Sequence, residues 1–316
     1  MTEMPSAGAP APVDDPAISV LMPVHDAAAT LDEQLDALAG QDFRLPWELV
    51  IADNGSTDGT RDVIEARRAG FPAPIRLIDA GASRGAAFAR NAAIRAARSD
   101  RLAFCDGDDR VGPQWLEGAY EGLDRADVVG GPLRRHTVPF DPDSPLLPFH
   151  SVSDDSIVAS NVAMRRAPLE RAGGYDAAFS GYGREDHELA VRLWKIGATF
   201  AYEPRMLVHY RLTSDQWVFI RKIYSSSRAD VVIWRRHPET YPGRQGRGFV
   251  LREALSLPVN LVRAARGGGV RRMARVGVEL AARARDMLGP RRPLEPPRLL
   301  TTMTEETPEI PPRARA

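Results

Sequence analysis

Apolar residues fall into short runs that alternate with stretches of helical spacing. The run Ile18–Val24 is rich in β-formers, too short for a helix, and stops at His25-Asp26. Leu31, Leu35 and Leu38 follow at i, i+4 and i+7. Asp32 and Glu33 stand in what would be the first turn, where the helix dipole favours anions. A strand over 47–52, a helix over 60–69, a strand over 75–78, an Ala-rich helix to about 98 and a strand over 102–105 come next. This alternation predicts an α/β fold with a mostly parallel central sheet flanked by helices.

The pattern then loosens. Pro113 suits the first turn of a helix reaching 123, and 126–131 and 161–164 read as strands. Between them, 132–155 carries five prolines and little periodicity, which predicts a long loop near the site. Gly173-Gly174-Tyr175-Asp176 is a turn. A Gly loop containing Gly181 and Gly183 leads into Glu185-Asp186, the start of a helix with Leu189, Leu193 and Ile196 on one face. A strand within 202–210 contains His209, and Ser214 is placed to cap a helix whose Trp217, Ile220 and Tyr224 pack inward.

Candidate chemistry gathers where strands end. His25-Asp26, Asp53-Asn54, Ala80-Gly81 and Asp106-Gly107-Asp108 each follow an apolar run, and in a parallel sheet those ends share one rim, where ligands bind. Asp106 and Asp108 share a face on extended backbone, and two carboxylates there repel unless a cation lies between them. A bare Asp-x-Asp is more often a solvated turn; the convergence of four strand ends favours a divalent-metal and phosphate site. An EF-hand is excluded because Arg110 and Val111 stand at its fifth and sixth positions, the latter reserved for Gly. The spacing of Gly81 and Gly85 fails the dinucleotide fingerprint.

Composition narrows the classes. The 316 residues carry no formal net charge, which points to neither nucleic acid nor an acidic substrate. The single cysteine, Cys105, excludes an intramolecular disulfide and a Cys-based zinc cluster. The Pro- and Ala-rich segment 1–15 has no secretory pattern and reads as a disordered leader. No run approaches a membrane span, so a cytoplasmic chain is expected. Charge is uneven, however: 244–292 holds twelve arginines against Glu253, Glu279 and Asp286. Helical stretches there such as 270–288 could lie on an anionic membrane at its inner face, or present a solvated basic face; nucleic-acid binding lacks any accompanying motif. Pro258 and Gly267 to Gly269 are expected to break any long helix. The tail, 291–316, reads as disordered.

Five motifs in fixed order resemble family 2 glycosyltransferases of the GT-A fold. They are the string from Asp53 to Thr60, Gly85 with Ala89-Arg90-Asn91, Asp106-Gly107-Asp108-Asp109, Gly173-Gly174-Tyr175-Asp176, and Glu185-Asp186. The resemblance implies a GT-A domain over 16–238, followed by a basic helical extension over 239–290. It implies that Pro23, Val24 and His25 touch the donor nucleoside, and that Asp53 hydrogen-bonds the base, typically uracil. Asp106 would face the ribose or donor sugar, Asp108 and His209 would hold Mn²⁺ or Mg²⁺, and Asp186 would be the base that activates a hydroxyl acceptor. Arg84 either contacts the diphosphate or caps its turn. Gly181, Gly183 and Glu185 belong to the acceptor-side loop, and Asn54, standing where many members carry an acid, supports the turn or binds donor. The implied reaction is inverting transfer from a nucleotide-sugar, UDP-linked in most such sites. The competing functions are a non-catalytic nucleotide-sugar-binding protein of a polysaccharide assembly and, more remotely, a nucleotidyltransferase.

Overall fold

The structure, a computed structural model, describes residues 15–153, 156–179, 183–244, 246–289 and 293–312, without the side chains of 267–271. Most of the expected leader, and Gly181, lie outside the described residues. The chain opens β1 (Ile18–Val24), α1 (Leu31–Ala39), β2 (Trp47–Asp53), α2 (Thr60–Arg68), β3 (Ile75–Asp79), α3 (Ala86–Ala96) and β4 (Arg101–Cys105). There follow β5 (Arg110–Val111), α4 (Trp115–Gly122), β6 (Val128–Gly130), β7 (Pro132–Arg135), β8 (Leu146–His150), β9 (Val152–Ser153) and β10 (Ser156–Ile157). Next come β11 (Asn161–Arg165), α5 (Arg166–Arg171), α6 (Glu185–Lys195), β12 (Phe200–Tyr202) and β13 (Val208–Tyr210). The chain closes with α7 (Gln216–Arg236), α8 (Arg247–Leu288) and β14 (Glu309–Ile310).

The main sheet has eight strands in the order β12-β6-β11-β4-β1-β2-β3-β14. Strands β4, β1, β2 and β3 are parallel, and β11 and β14 run against their neighbours. Central strands are buried on both faces because helices cover both, which is why they read as unbroken apolar runs. Val20, Met22, Leu49 and Ile51 pack towards α1 and α4 on one face; Leu21, Val50, Phe104 and Met164 pack towards α3 and α6 on the other. The strand order reverses at β1, between β4 and β2, so the C-terminal ends of β1 and β4 open the crevice where open α/β sheets bind ligands.

Five expectations change, the first being Trp217, which stands 75% exposed at the start of α7 rather than packing inward. Segment 132–155 is not one long loop: β7 and β8 form a hairpin in a second sheet ordered β5-β13-β7-β8. Its prolines interrupt periodicity without preventing strands, since Pro132 starts one and β8 is a sheet edge, both places that tolerate proline. Asp215 rather than Ser214 caps α7, accepting from Val218 N at 2.7 Å. Pro258 sits inside α8 rather than ending it. A straight helix would put Glu253 and Arg283 about 45 Å apart, yet Arg283 Nη1 lies 3.4 Å from Glu253 Oε2, so α8 doubles back between them.

The tail is also packed rather than disordered over 293–312. Ala177 N donates to Arg298 O at 2.8 Å, Leu300 N donates to Gly173 O at 2.8 Å, and β14 pairs antiparallel with β3. The contacts are made by one or two residues at a time, too few to show as periodicity. Gly174 is the tightest of them: its φ is +70°, and a Cβ there would stand 2.6 Å from Leu300 Cβ and 2.9 Å from Asn91 Oδ1. We expect Gly174→Ala to cost about 1–3 kcal/mol of stability; an unchanged urea midpoint would show that the strap yields freely.

Candidate active site

A cleft of about 830 Å³ opens at the crevice and is lined by Pro23, Val24, His25, Asn54, Arg84, Asp106 and Asp108, among others. The wall after β1 is bolted in place by the polar string that follows β2. Ala27 N donates to Thr60 Oγ1 at 2.8 Å, Ala28 N to Asp58 Oδ2 at 3.0 Å, and Thr57 N to Asp26 Oδ1 at 2.7 Å. The Ser, Thr and Asp residues there are therefore spent on holding the loop that forms the cleft wall. Asn54 holds the opposite wall: it donates to Ala80 O and Ser83 O and accepts from Gly85 N.

Asp53 does not reach the cleft surface. It is fully buried, accepts from Ser56 N at 2.9 Å with one oxygen, and binds Arg61 Nε with the other. The strand end that carries it is covered by its own turn, which the sequence could not show.

The floor of the cleft is acidic. Asp106, Asp108 and Asp109 bring one carboxylate oxygen each within 4.8 Å of one another. Desolvation by the surrounding cleft and the charge of Asp106 hold the Asp108 carboxyl, itself exposed, above its ordinary range, and burial with Asp108 and Asp106 pushes Asp109 well above it. Asp109 Oδ1 accepts from Arg211 N at 2.8 Å, while its buried Oδ2 has no hydrogen-bond partner among the described residues. Three crowded acids with an orphaned oxygen suit a divalent cation bound through carboxylates.

His209 is not part of that group. Among the described residues it lies in β13 opposite Arg110, its ring 4.8 Å from that of Phe140. Burial together with Arg134, His136 and Arg110 depresses its pKa to about 4, so it is a neutral, packed imidazole among cations. Two residues on, Arg211 does line the cleft, donating through Nε to Asp108 O at 2.8 Å and pairing with Glu33 at 3.0 Å. The chain delivers an arginine where the sequence suggested a histidine.

The residue that joins the halves of the site is Arg90. It is buried on α3, with Nη2 2.8 Å from Asp106 Oδ1 and Nη1 2.9 Å from Glu185 Oε1. An arginine inside an alanine-rich helix is its sequence signal; its burial and its partners, 16 and 95 residues away, appear only in the fold. Burial and the adjacent Asp186 raise Glu185 to about 7 despite Arg90. Asp186, in the first turn of α6, accepts from His187 N at 2.7 Å and, weakly, from Ala159 N at 3.4 Å. Asn91, beside Arg90, clamps the Gly173–Asp176 turn through Tyr175 N and O.

The start of α6 is also braced from the C-terminal helices. Arg184, left-handed at φ +43°, pairs with Asp230 of α7 at 3.0 Å. The other oxygen of that buried carboxylate accepts from Arg283 of α8 at 2.9 Å. Gly183, just before, faces a separate cavity of about 530 Å³ between α7, the end of α8 and the tail.

The eight-stranded sheet, with its cleft where the strand order reverses, has the architecture of the GT-A fold. The sequence model of "Glycosyl transferase family 2" matches residues 19–188, more than half the chain, and the chain belongs to that family. The validoxylamine A glucosyltransferase of Streptomyces hygroscopicus subsp. jinggangensis (strain 5008) is 31% identical over 220 residues, which are 56% of this chain and 51% of that protein. The chain thus spans about half the length of that relative. Among solved structures, the mannosyltransferase PcManGT of Pyrobaculum calidifontis, in complex with GDP-Man and Mn²⁺, superposes with a TM-score of 0.58 at 18% identity, covering 90% of this chain and 91% of that one. S. aureus TarS 1–349, in complex with UDP-GlcNAc, superposes with a TM-score of 0.52 at 17% identity, covering 85% and 90%.

Proposed function

We propose that the protein transfers a sugar from a nucleotide-sugar, UDP-linked by this reading, to a hydroxyl acceptor, with inversion. The observation that carries the reading is the Asp106–Arg90–Glu185 bridge. It fixes the acidic floor of a nucleotide-sized cleft against the helix that bears Asp186. The neighbours bound to UDP-GlcNAc and to GDP-Man with Mn²⁺ support a nucleotide-sugar donor and a metal. In this reading Pro23, Val24, His25 and Arg84 face the donor, and Asp106 its ribose or sugar. Asp186 accepts the proton of the attacking hydroxyl. Displacement on the face opposite the leaving nucleotide inverts the anomeric centre.

The donor set fits a hard divalent ion, Mn²⁺ or Mg²⁺: Asp108 and Asp109 would hold it, with Asp106 beside them. Bound there, the ion would neutralise charge on the departing diphosphate. Arg211 and Arg84, both on the cleft wall, supply fixed positive charge to the same phosphates. The catalytic domain is assigned to 16–238, the basic helices to 239–290, and the tail returns to the catalytic sheet.

A thermal-shift panel of UDP-, GDP- and dTDP-sugars, with and without Mn²⁺, tests the donor, since a ligand bound only to the folded state raises the melting temperature by mass action. We expect UDP-sugars with Mn²⁺ to give the largest shift; no shift from any of them would sink the reading. In calorimetry, Asp108→Ala should lose Mn²⁺-dependent UDP affinity, and binding equal to wild type would remove Asp108 from the metal site. Release of UDP from the donor separates an enzyme from a non-catalytic binder.

A further inference from the structure

Helix α8 is polarised in a way that its fold-back alone does not explain. In its first half the inward side carries Phe249, whose ring lies 5.1 Å from Trp234, and Leu257, Asn260 and Ala264, which face Val276, Leu280 and Arg283 across the fold-back. The opposite side carries Leu251, Leu255, Val259 and Val262, exposed by 62%, 74%, 54% and 51%. Spaced i, i+4, i+8 and i+11, they fall within an arc of about 80° and make one continuous stripe. Soluble proteins scatter exposed aliphatics singly; a contiguous row marks a surface meant to be covered.

Charge says what covers it. Exposed Arg252 stands beside the stripe and exposed Arg266 continues its arc one turn past Val262, while Arg263 leans towards the fold-back cavity. The only acid in this half, Glu253, turns away from it towards Arg283. An apolar stripe edged by cations alone complements a surface that is apolar within and negative outside. We propose that this face of α8 docks the protein on an anionic lipid surface, with the four aliphatics among the acyl chains and the arginines on the headgroups. The basic segment 270–288, singled out in the sequence, is not that surface. Its Val276 and Leu280 face the first half of α8, Val278 faces Trp217 and Tyr224, and Ala282 is fully buried. No helix among the described residues is long and apolar enough to cross a membrane, so the contact would be peripheral. The inference stands apart from the transfer reaction and does not depend on it.

Co-sedimentation of the full chain with vesicles tests it, using phosphatidylcholine alone and phosphatidylcholine with phosphatidylglycerol. Wild type should partition at least about tenfold more strongly onto the anionic vesicles, and salt should weaken the binding. The double variant Leu255→Asp, Val259→Asp should lose that binding about tenfold or more. Because both side chains point to solvent, its melting temperature should stay at the wild-type value. Arg252→Glu with Arg266→Glu should lose the preference for anionic vesicles. The proposal is overturned if wild type does not sediment with anionic vesicles, or if the aspartate variant binds like wild type. Light scattering supplies the other outcome: a wild-type dimer that Leu255→Asp, Val259→Asp makes monomeric, without vesicle binding, would assign the stripe to a second copy of the chain.

Discussion

Asp186→Asn should bind UDP-sugar like wild type and turn over roughly 10²–10⁴-fold more slowly, the usual worth of a general base. The change is nearly isosteric and keeps an oxygen for His187 N, so α6 should start where it does now. The side chain does not line the donor cleft, so donor affinity has no reason to fall. Glu185 is the competing carboxylate, held at about 7 and closer to the pH at which bases work. It is, however, committed to Arg90, whereas the hydrogen bonds of Asp186 among the described residues come from backbone. Nucleotide release by the two variants side by side decides between them. Full activity in Asp186→Asn with a dead Glu185→Gln would move the base one residue back.

Arg90→Met should be the most destabilising substitution in the site. Removing one partner of a buried ion pair leaves the other uncompensated, at about 3–5 kcal/mol, and Met preserves most of the packing. The loss should grow with pH. Glu185 sits at about 7 with Arg90 in place, above its ordinary value, so the folded protein holds that proton more tightly than the unfolded chain. Its stabilising effect is complete below the ordinary carboxylate range and fades as pH rises through about 7. Without Arg90 the carboxyl moves higher still, so the variant falls further behind wild type as pH climbs past 7. Urea melts at pH 6 and pH 8 measure this: a deficit equal at both would assign the loss to packing instead of charge.

The doubly wound half was legible because its physics is local. Apolar runs such as 47–53 and the i, i+4 rhythm of α1 are set by residues that touch their neighbours in sequence. So was the acidic floor, since Asp106 and Asp108 sit on one strand end. What stayed hidden depends on contacts across the chain. Asp53 looked like a ligand residue until the turn after it closed over its carboxylate. His209 and Arg211 lie two residues apart, and only the placement of β13 beside β5 decides which of them meets the cleft. Arg90 has no partner within its own helix. The tail defeated pattern reading for a different reason: it folds onto a surface already made and needs no periodicity of its own.

That tail bears on the birth of the protein. Until 308–310 has left the ribosome, β3 is an outer strand with unpaired backbone groups, and open edges of this kind invite pairing with other chains. Leu77 must wait for Ile310, a partner 233 residues downstream, and contacts of such separation are slow to form. The catalytic sheet therefore passes through a window, set by translation speed, in which it is nearly complete but unsealed. Synthesis truncated before that point would leave every residue that lines the cleft in place and the molecule prone to aggregate.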